Sequence, residues 1–202
     1  MSRSTTRPTP GASGRSTPDD RLLTIRTDRL LLRDFEPADL PAYARLRAHP
    51  LHQRFCPEED ARRDKAEELL RLFLAWSREW PRLRYQLAVV LPSRGVIGSV
   101  GVRVTSEPER QGSFGCELDA HYWGYGYAYE ASRAVIEYGF EELGLHRIYA
   151  AVIEENVTAV GLAERLGMRR EGTLRENRWF RGRWWNTTIL SVLESEYLRS
   201  RT

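Results

Sequence analysis

Apolar and polar positions alternate in several short windows of this chain and recur at helical spacing in others. Residues 29–34, RLLLRD, read as a first strand. EPADLPAYARLRAH then begins a helix near Pro37 to Asp39, with acids in its first turn where the helix dipole favours them. HPLHQRFCPEED has no period and reads as a loop. Residues 60–77 set Leu69, Leu70, Phe73 and Trp76 on one helical face beside a charged one. YQLAVVL is strand-like and ends in PSRG, a turn composition; GVIGSVGVRV follows, so the two predict a hairpin. Residues 113–119, SFGCELD, are a further strand. From Ala128 onward, Ala128, Ala131, Val135 and Tyr138 share one helical face, opposite Glu130, Arg133, Glu137 and Glu141. HRIYAAVI is a short apolar strand. Asn156 stands where a helix N-cap belongs and Gly167 where a C-terminal glycine belongs. ENRWFRGRWWNTTILSVL alternates around Arg181-Gly182 and predicts a second hairpin. Strands and helices mix without strict alternation, which predicts a mixed α/β (α+β) fold whose sheet is mixed in direction.

Composition narrows the function classes. The 202 residues suit one domain with a sizeable core. Residues 1–22 are rich in Ser, Thr, Pro and Gly, and read as a disordered tail ahead of a domain spanning residues 23–202. No apolar stretch there fits a signal peptide or membrane span, so no membrane partner and a cytoplasmic setting are expected. The two cysteines, Cys56 and Cys116, form no CxxC or Cys/His cluster; neither a disulfide framework nor a metal site is expected. The net charge of +3 comes from acids and bases that alternate nearly everywhere, without a like-charged block, so nucleic acid is not the expected partner.

The stretch HYWGYGYAYEA carries the chemistry. Gly124 and Gly126 lie between a strand and an amphipathic helix. The first N–H groups of a helix lack internal partners and favour an anion, and glycines remove side chains that would block a phosphate. A nucleotide P-loop would need GxxxxGK followed by Ser or Thr, which is missing here, and a GxGxxG turn would need glycine at Tyr129. A plain structural turn and a diphosphate cradle remain on the residues alone.

The order of motifs decides between them. The hairpin, then GSFGCELDAHYWGYGYAYEASRAVIEYGFEELGLHRIYAAVIEENVTAVGLAERLGMRREG and the Trp-rich hairpin, resembles the GCN5-related N-acetyltransferase (GNAT) family, and more narrowly the branch that acetylates ribosomal-protein N-termini. The resemblance covers about residues 24–198. It implies the acyl-CoA N-acyltransferase fold: a central, mostly antiparallel sheet, splayed in the middle and flanked by about four helices. It also implies acetyl-CoA as cosubstrate and a primary amine as acceptor, either a protein N-terminus or a small molecule, with the chain a monomer or homodimer. The family's pyrophosphate loop, Q/R-x-x-G-x-G/A, falls on Trp123, Gly124, Tyr125, Gly126, Tyr127 and Ala128. Tyr125 stands where lysine is common. The strand ending at Glu117, Leu118 and Asp119 would run beside the pantetheine arm, and Asn156 matches the family's cofactor-contacting Asn.

Amide formation from a thioester needs a base for the ammonium proton and an N–H donor for the developing oxyanion. By resemblance, the donor is the backbone near Leu118. The branch's usual strand glutamate falls on Ser113, a departure; strand alternation puts Ser113, Gly115 and Glu117 on one face, so Glu117 is the candidate base, acting through water. Ala159 and Ala163 stand where the branch or the wider family carries Ser or Tyr. A thiol leaves readily near neutral pH, so no protein acid is required. These three departures also admit a second expectation, a binding module that holds acyl-CoA without turnover. The acceptor pocket is expected between HPLHQRF and NRWFRGRWW, lined by His52, Phe55 and Trp179. Of Trp179, Phe180, Trp184 and Trp185, alternation should bury about half as core.

Overall fold

A computed structural model describes residues 22–62 and 64–199. The tail expected over residues 1–22 lies outside them, except for Leu22. Eight strands form one sheet: β1 (Thr24–Arg26), β2 (Leu31–Asp34), β3 (Arg84–Leu91), β4 (Gly95–Ser106), β5 (Gln111–Leu118), β6 (Arg147–Ile153), β7 (Arg169–Phe180) and β8 (Arg183–Leu193), in the order β1-β2-β3-β4-β5-β6-β8-β7. The helices are α1 (Leu40–Arg47), α2 (Pro50–Gln53), α3 (Lys65–Trp76), α4 (Tyr127–Glu141), α5 (Val157–Arg165) and α6 (Glu194–Arg199). Four of these, α1, α3, α4 and α5, have eight residues or more. The fold is the mixed α/β architecture that the motif order implies.

Both hairpins form where turn chemistry puts them. The β7–β8 turn has Arg181 at φ 51 and Gly182 at φ 69, the left-handed pair that a two-residue hairpin needs. Three pieces escape the pattern. β1 is only three residues long, α6 is a short C-terminal turn, and the segment read as a loop contains α2 and a 3-10 turn at Glu58–Ala61. His49 explains α2: its Nδ1 accepts from the Leu51 N–H at 3.2 Å, and Pro50 follows as a preset first residue.

The core lies on both faces of the sheet. On β3, Leu87 and Val89 belong to one apolar cluster and Ala88 to the other, as strand alternation requires. The larger cluster joins the sheet to α4 through Ala131, Val135, Ile136 and Phe140; the smaller packs Tyr43 of α1 and Leu70 and Phe73 of α3 on the opposite face.

The sheet splits at its centre. β5 and β6 are its parallel pair, and they pair only at Gln111, Gly112 and Ser113 against Arg147, Ile148 and Tyr149. β5 then continues to Leu118 and β6 to Ile153 without each other. This is the splay expected from the family resemblance, and it positions the site.

Candidate active site

The divergence leaves backbone groups facing a gap, and which ones follows from register. β4 and β5 are antiparallel, and the Asp119 N–H donates to Ile97 O at 2.9 Å across them. Inward and outward bonding alternate along such a ladder. Leu118 and Cys116 therefore turn their N–H and C=O groups away from β4, toward the gap. The Leu118 carbonyl accepts from Trp123 Nε1 at 2.8 Å, which agrees with that direction. On the other side, Glu154 N–H bonds across to Asn186 O at 3.1 Å, so alternation turns Ala151 of β6 toward the gap.

A cleft of about 890 Å³ occupies this gap. It is lined by Cys116, Glu117 and Leu118, by the loop from Trp123 through Ala128, by Asn156 at the start of α5, and by His52, Phe55 and Cys56. Gly126 is the N-cap of α4 at φ 82, and Gly124 sits at φ 84. A Cβ at Gly124 would meet nothing within 4 Å, and at Gly126 only the Arg29 guanidinium at 3.4 Å, so these glycines answer to backbone angle and an open approach rather than to packing. The first intrahelical bond is Glu130 N–H to Gly126 O at 3.0 Å, which leaves the N–H groups of Tyr127, Ala128 and Tyr129 without an intrahelical acceptor. A glycine-headed helix opening on a split sheet edge fits the diphosphate and amide arm of coenzyme A.

Glu117 lies at the junction of the cleft with α1. Its Oε1 accepts from Arg47 Nη1 at 3.0 Å and its Oε2 from the Tyr43 hydroxyl at 3.1 Å. Burial pushes the Tyr43 phenol well above its ordinary range, so it stays a donor. Burial works against the charge of Arg47, but Glu117 and Tyr43 outweigh it and keep the guanidinium protonated. Both cysteines of the cleft are held as thiols: burial raises Cys56, and pushes Cys116 up to about 11. Burial also lowers His52, whose Nε2 is buried without a hydrogen-bond partner.

The structure gathers most of the expected residues and separates two. Glu117, Leu118, Trp123, Gly124, Tyr125, Gly126, Tyr127, Ala128, Asn156, His52 and Phe55 all line the cleft. Asn156 is also the cap of α5, its Oδ1 accepting from Ala159 N–H at 3.2 Å. Asp119 does not join them by its side chain: Oδ1 accepts from the His121 N–H at 3.0 Å and lies 2.8 Å from the His121 ring, capping a 3-10 turn. Trp179 is absent from the lining as well. It is 59% exposed and packs edge-on against Trp184 at 5.2 Å, while Phe180 and Trp185 turn inward and stack at 4.9 Å. Alternation thus sorts the four aromatics two and two, and the outward pair includes the one expected in the pocket.

The sequence names the two segments expected to wall the acceptor, but not the contacts that join them. Arg181 at the hairpin tip donates to Cys56 O at 3.1 Å and Gln53 O at 3.0 Å, and Phe55 meets Trp185 at 5.9 Å, so the hairpin leans on the end of α2 and the residues after it. The buried Arg47 left one signal: it shares the core-facing side of α1 with Tyr43 and Leu46.

Known proteins agree with this geometry. The model of the acetyltransferase (GNAT) domain matches residues 29–169, and the chain belongs to that family. An uncharacterized N-acetyltransferase, p20, of Bacillus licheniformis is 29% identical over 177 residues, 86% of this chain and 98% of its own. The solved spermidine N-acetyltransferase of Vibrio cholerae, in complex with CoA and spermine, is 27% identical with a TM-score of 0.72, covering 85% of this chain and 99% of that one. The ribosomal-protein-S5-alanine acetyltransferase of Vibrio fischeri, at 21% identity, shares the fold with a TM-score of 0.74 over 87% and 98% of the two chains. The protein is an N-acetyltransferase. No helix among the described residues is long and apolar enough to cross a membrane, and no group of three or more His, Cys, Asp or Glu among them could hold a metal ion.

Proposed function

We propose that this enzyme moves an acetyl group from acetyl-CoA to a primary amine by direct attack, and that the acceptor is the terminal amine of a peptide in preference to a polyamine. Acetyl-CoA supplies a thioester, an acyl group activated for attack by nitrogen. The N–H groups from Tyr125 to Ala128 hold the pyrophosphate, and the gap-facing edge of β5 offers N–H and C=O groups to the amide arm as an added strand would. The Leu118 N–H is the oxyanion donor. Glu117 takes the ammonium proton through a water, oriented by Arg47 and Tyr43. His52 and Phe55 wall the acceptor. The observation that carries this reading is the parting of β5 and β6 after Ser113, which aims the Leu118 N–H into the cleft beside Glu117.

Two further observations support parts of it. A relay through an acyl-cysteine needs a thiolate, and burial holds both cleft cysteines in the thiol form. A polyamine brings additional ammonium groups that want carboxylates. The two glutamates lining the cleft are each paired with an arginine, Glu117 with Arg47 at 3.0 Å and Glu155 with Arg183 at 3.3 Å. By the family resemblance, tryptophan in place of Gln or Arg at the first loop position is usual in the branch acting on protein N-termini, and Trp123 stands there. Release of free thiol from acetyl-CoA, followed across peptides with different N-terminal residues, spermidine and aryl amines, tests the reading. Turnover with peptides is expected. Faster turnover with spermidine would reverse the acceptor assignment, and tight CoA binding with no turnover on any amine would leave a binding module.

A further inference from the structure

Glu130 lies in the first turn of α4, at the helix end that the loop offers to a phosphate. A carboxylate there repels a second anion and uses the dipole that would attract one. Three groups from the β1–β2 turn enclose it. Thr27 Oγ1 donates to Oε1 at 2.6 Å, the Arg29 N–H to Oε1 at 2.8 Å, and Arg29 Nε to Oε2 at 2.7 Å, with Nη2 at 2.6 Å from Oε2. Burial alone would raise the pKa of Glu130; these hydrogen bonds and the Arg29 charge outweigh it and hold the pKa below the ordinary glutamate value. The group is therefore a full negative charge at neutral pH.

The same guanidinium reaches the loop. Its Nη1 donates to Tyr125 O at 2.9 Å, and its carbon lies 4.5 Å from the centre of the Tyr127 ring. In a trans peptide the carbonyl and the following N–H point to opposite sides. Fixing the Tyr125 carbonyl on Arg29 therefore turns the Gly126 N–H away from Arg29. One arginine thus both covers the unwanted charge and sets the peptide that begins the anion site.

We propose that Arg29 is a positioning residue for the coenzyme site: it cancels the charge of Glu130 and orients the Tyr125–Gly126 peptide, so that the first N–H groups of α4 meet an incoming phosphate without a competing carboxylate. This rests on the reading of the loop as the diphosphate site. Glu130 keeps its place because it ties the β1–β2 turn to α4, and Arg29 removes the electrostatic penalty of that tie.

Binding of CoA to the full chain, measured by calorimetry with thermal melts as a folding control, tests it. Arg29→Met should weaken CoA about tenfold at low salt, with the loss shrinking near 1 M NaCl as the exposed carboxylate is screened. In turnover the effect should fall on the KM for acetyl-CoA more than on kcat. Arg29→Met combined with Glu130→Gln should regain most of the affinity. A double variant no better than Arg29→Met would overturn the inference, since a phosphate ligand or a simple strut is not rescued by removing Glu130. Should Arg29→Met not fold, Arg29→Lys keeps a cation beside Glu130 without the fork, and an affinity within a few fold of wild type is expected; tenfold or greater loss there overturns the charge argument. Gly126→Glu separates the two levels. If it abolishes CoA binding while Arg29→Met changes nothing, the inference fails and the loop assignment stands. If it too leaves CoA binding intact, the loop assignment fails and takes the inference with it.

Discussion

The two ends of the cleft are built differently. The proposed cofactor end is mostly backbone from one short stretch, a strand edge, two left-handed glycines and the start of α4, braced from outside by Arg29. The proposed acceptor end draws on four separate segments, α1, α2 with the residues after it, β5 and the β7–β8 tip, joined by contacts that span up to 128 positions in sequence. One end is a property of local conformation and the other of packing. At the first, a glycine substitution acts directly on the backbone that would meet the ligand; at the second, a substitution acts through side-chain contacts.

The largest effect therefore belongs to a glycine. Gly126→Glu adds a side chain at φ 82, pushes on the Arg29 guanidinium and sets a carboxylate among the N–H groups. Affinity for acetyl-CoA should fall on the order of 100-fold or more, read by calorimetry. Unchanged affinity would mean that the cofactor end does not rest on this loop. Glu117→Gln comes next. It keeps the shape of the site but removes the proposed base, so kcat should drop about 100-fold while acetyl-CoA affinity holds. An unaltered kcat would remove Glu117 from the chemistry. Arg181→Ala should be milder, raising the acceptor KM about fivefold by releasing the hydrogen bonds from the hairpin tip to Gln53 at the end of α2 and to Cys56 beyond it. If it moves the acetyl-CoA KM instead, the two ends are not the independent regions described.

This division also explains what the sequence makes legible. Gly124, Gly126, Asn156 and Gly167 have local reasons to be where they are, and each has the conformation or cap its type predicts. The Arg181-Gly182 hairpin and the burial of half of its four aromatics follow from period and turn chemistry; which half turns inward does not. Trp179 was legible as an aromatic but not by direction. Its strand carries a bulge between Leu174 and Arg178, where Glu176 takes φ 49 and its N–H bonds Asn186 Oδ1, and no residue pattern announces that shift. The Arg47–Glu117–Tyr43 contacts and the Arg29–Glu130 clamp join positions 70 or more residues apart, and a single sequence holds no trace of such pairings. The Asp119 side chain is spoken for locally: it accepts from the N–H two residues on and caps its own turn, as a short acid in a turn does.

The smallest effect sharpens the comparison through pH. His52 is held neutral mainly by burial; Arg47 and His49 add to this, and Glu117 and Asp60 oppose it. Its pKa is thus lower folded than unfolded. Above the unfolded value, about 6.5, the two states bind equal protons and His52 contributes no pH dependence. Below it, the unfolded chain binds the proton first, so stability falls as pH drops toward the folded value. Melts at about pH 7.5 and about pH 5.5 should show a larger loss of Tm in wild type than in His52→Gln. The cofactor end gives no such contribution, since Glu130 has its pKa depressed and is ionised throughout that window. His52→Gln should accordingly leave CoA affinity unchanged at both pH values while it raises the KM for the acceptor, since His52 lines the proposed acceptor end and not the loop. If CoA affinity and acceptor KM shift together in His52→Gln, the change at His52 reaches the loop, and the two ends are not insulated from each other.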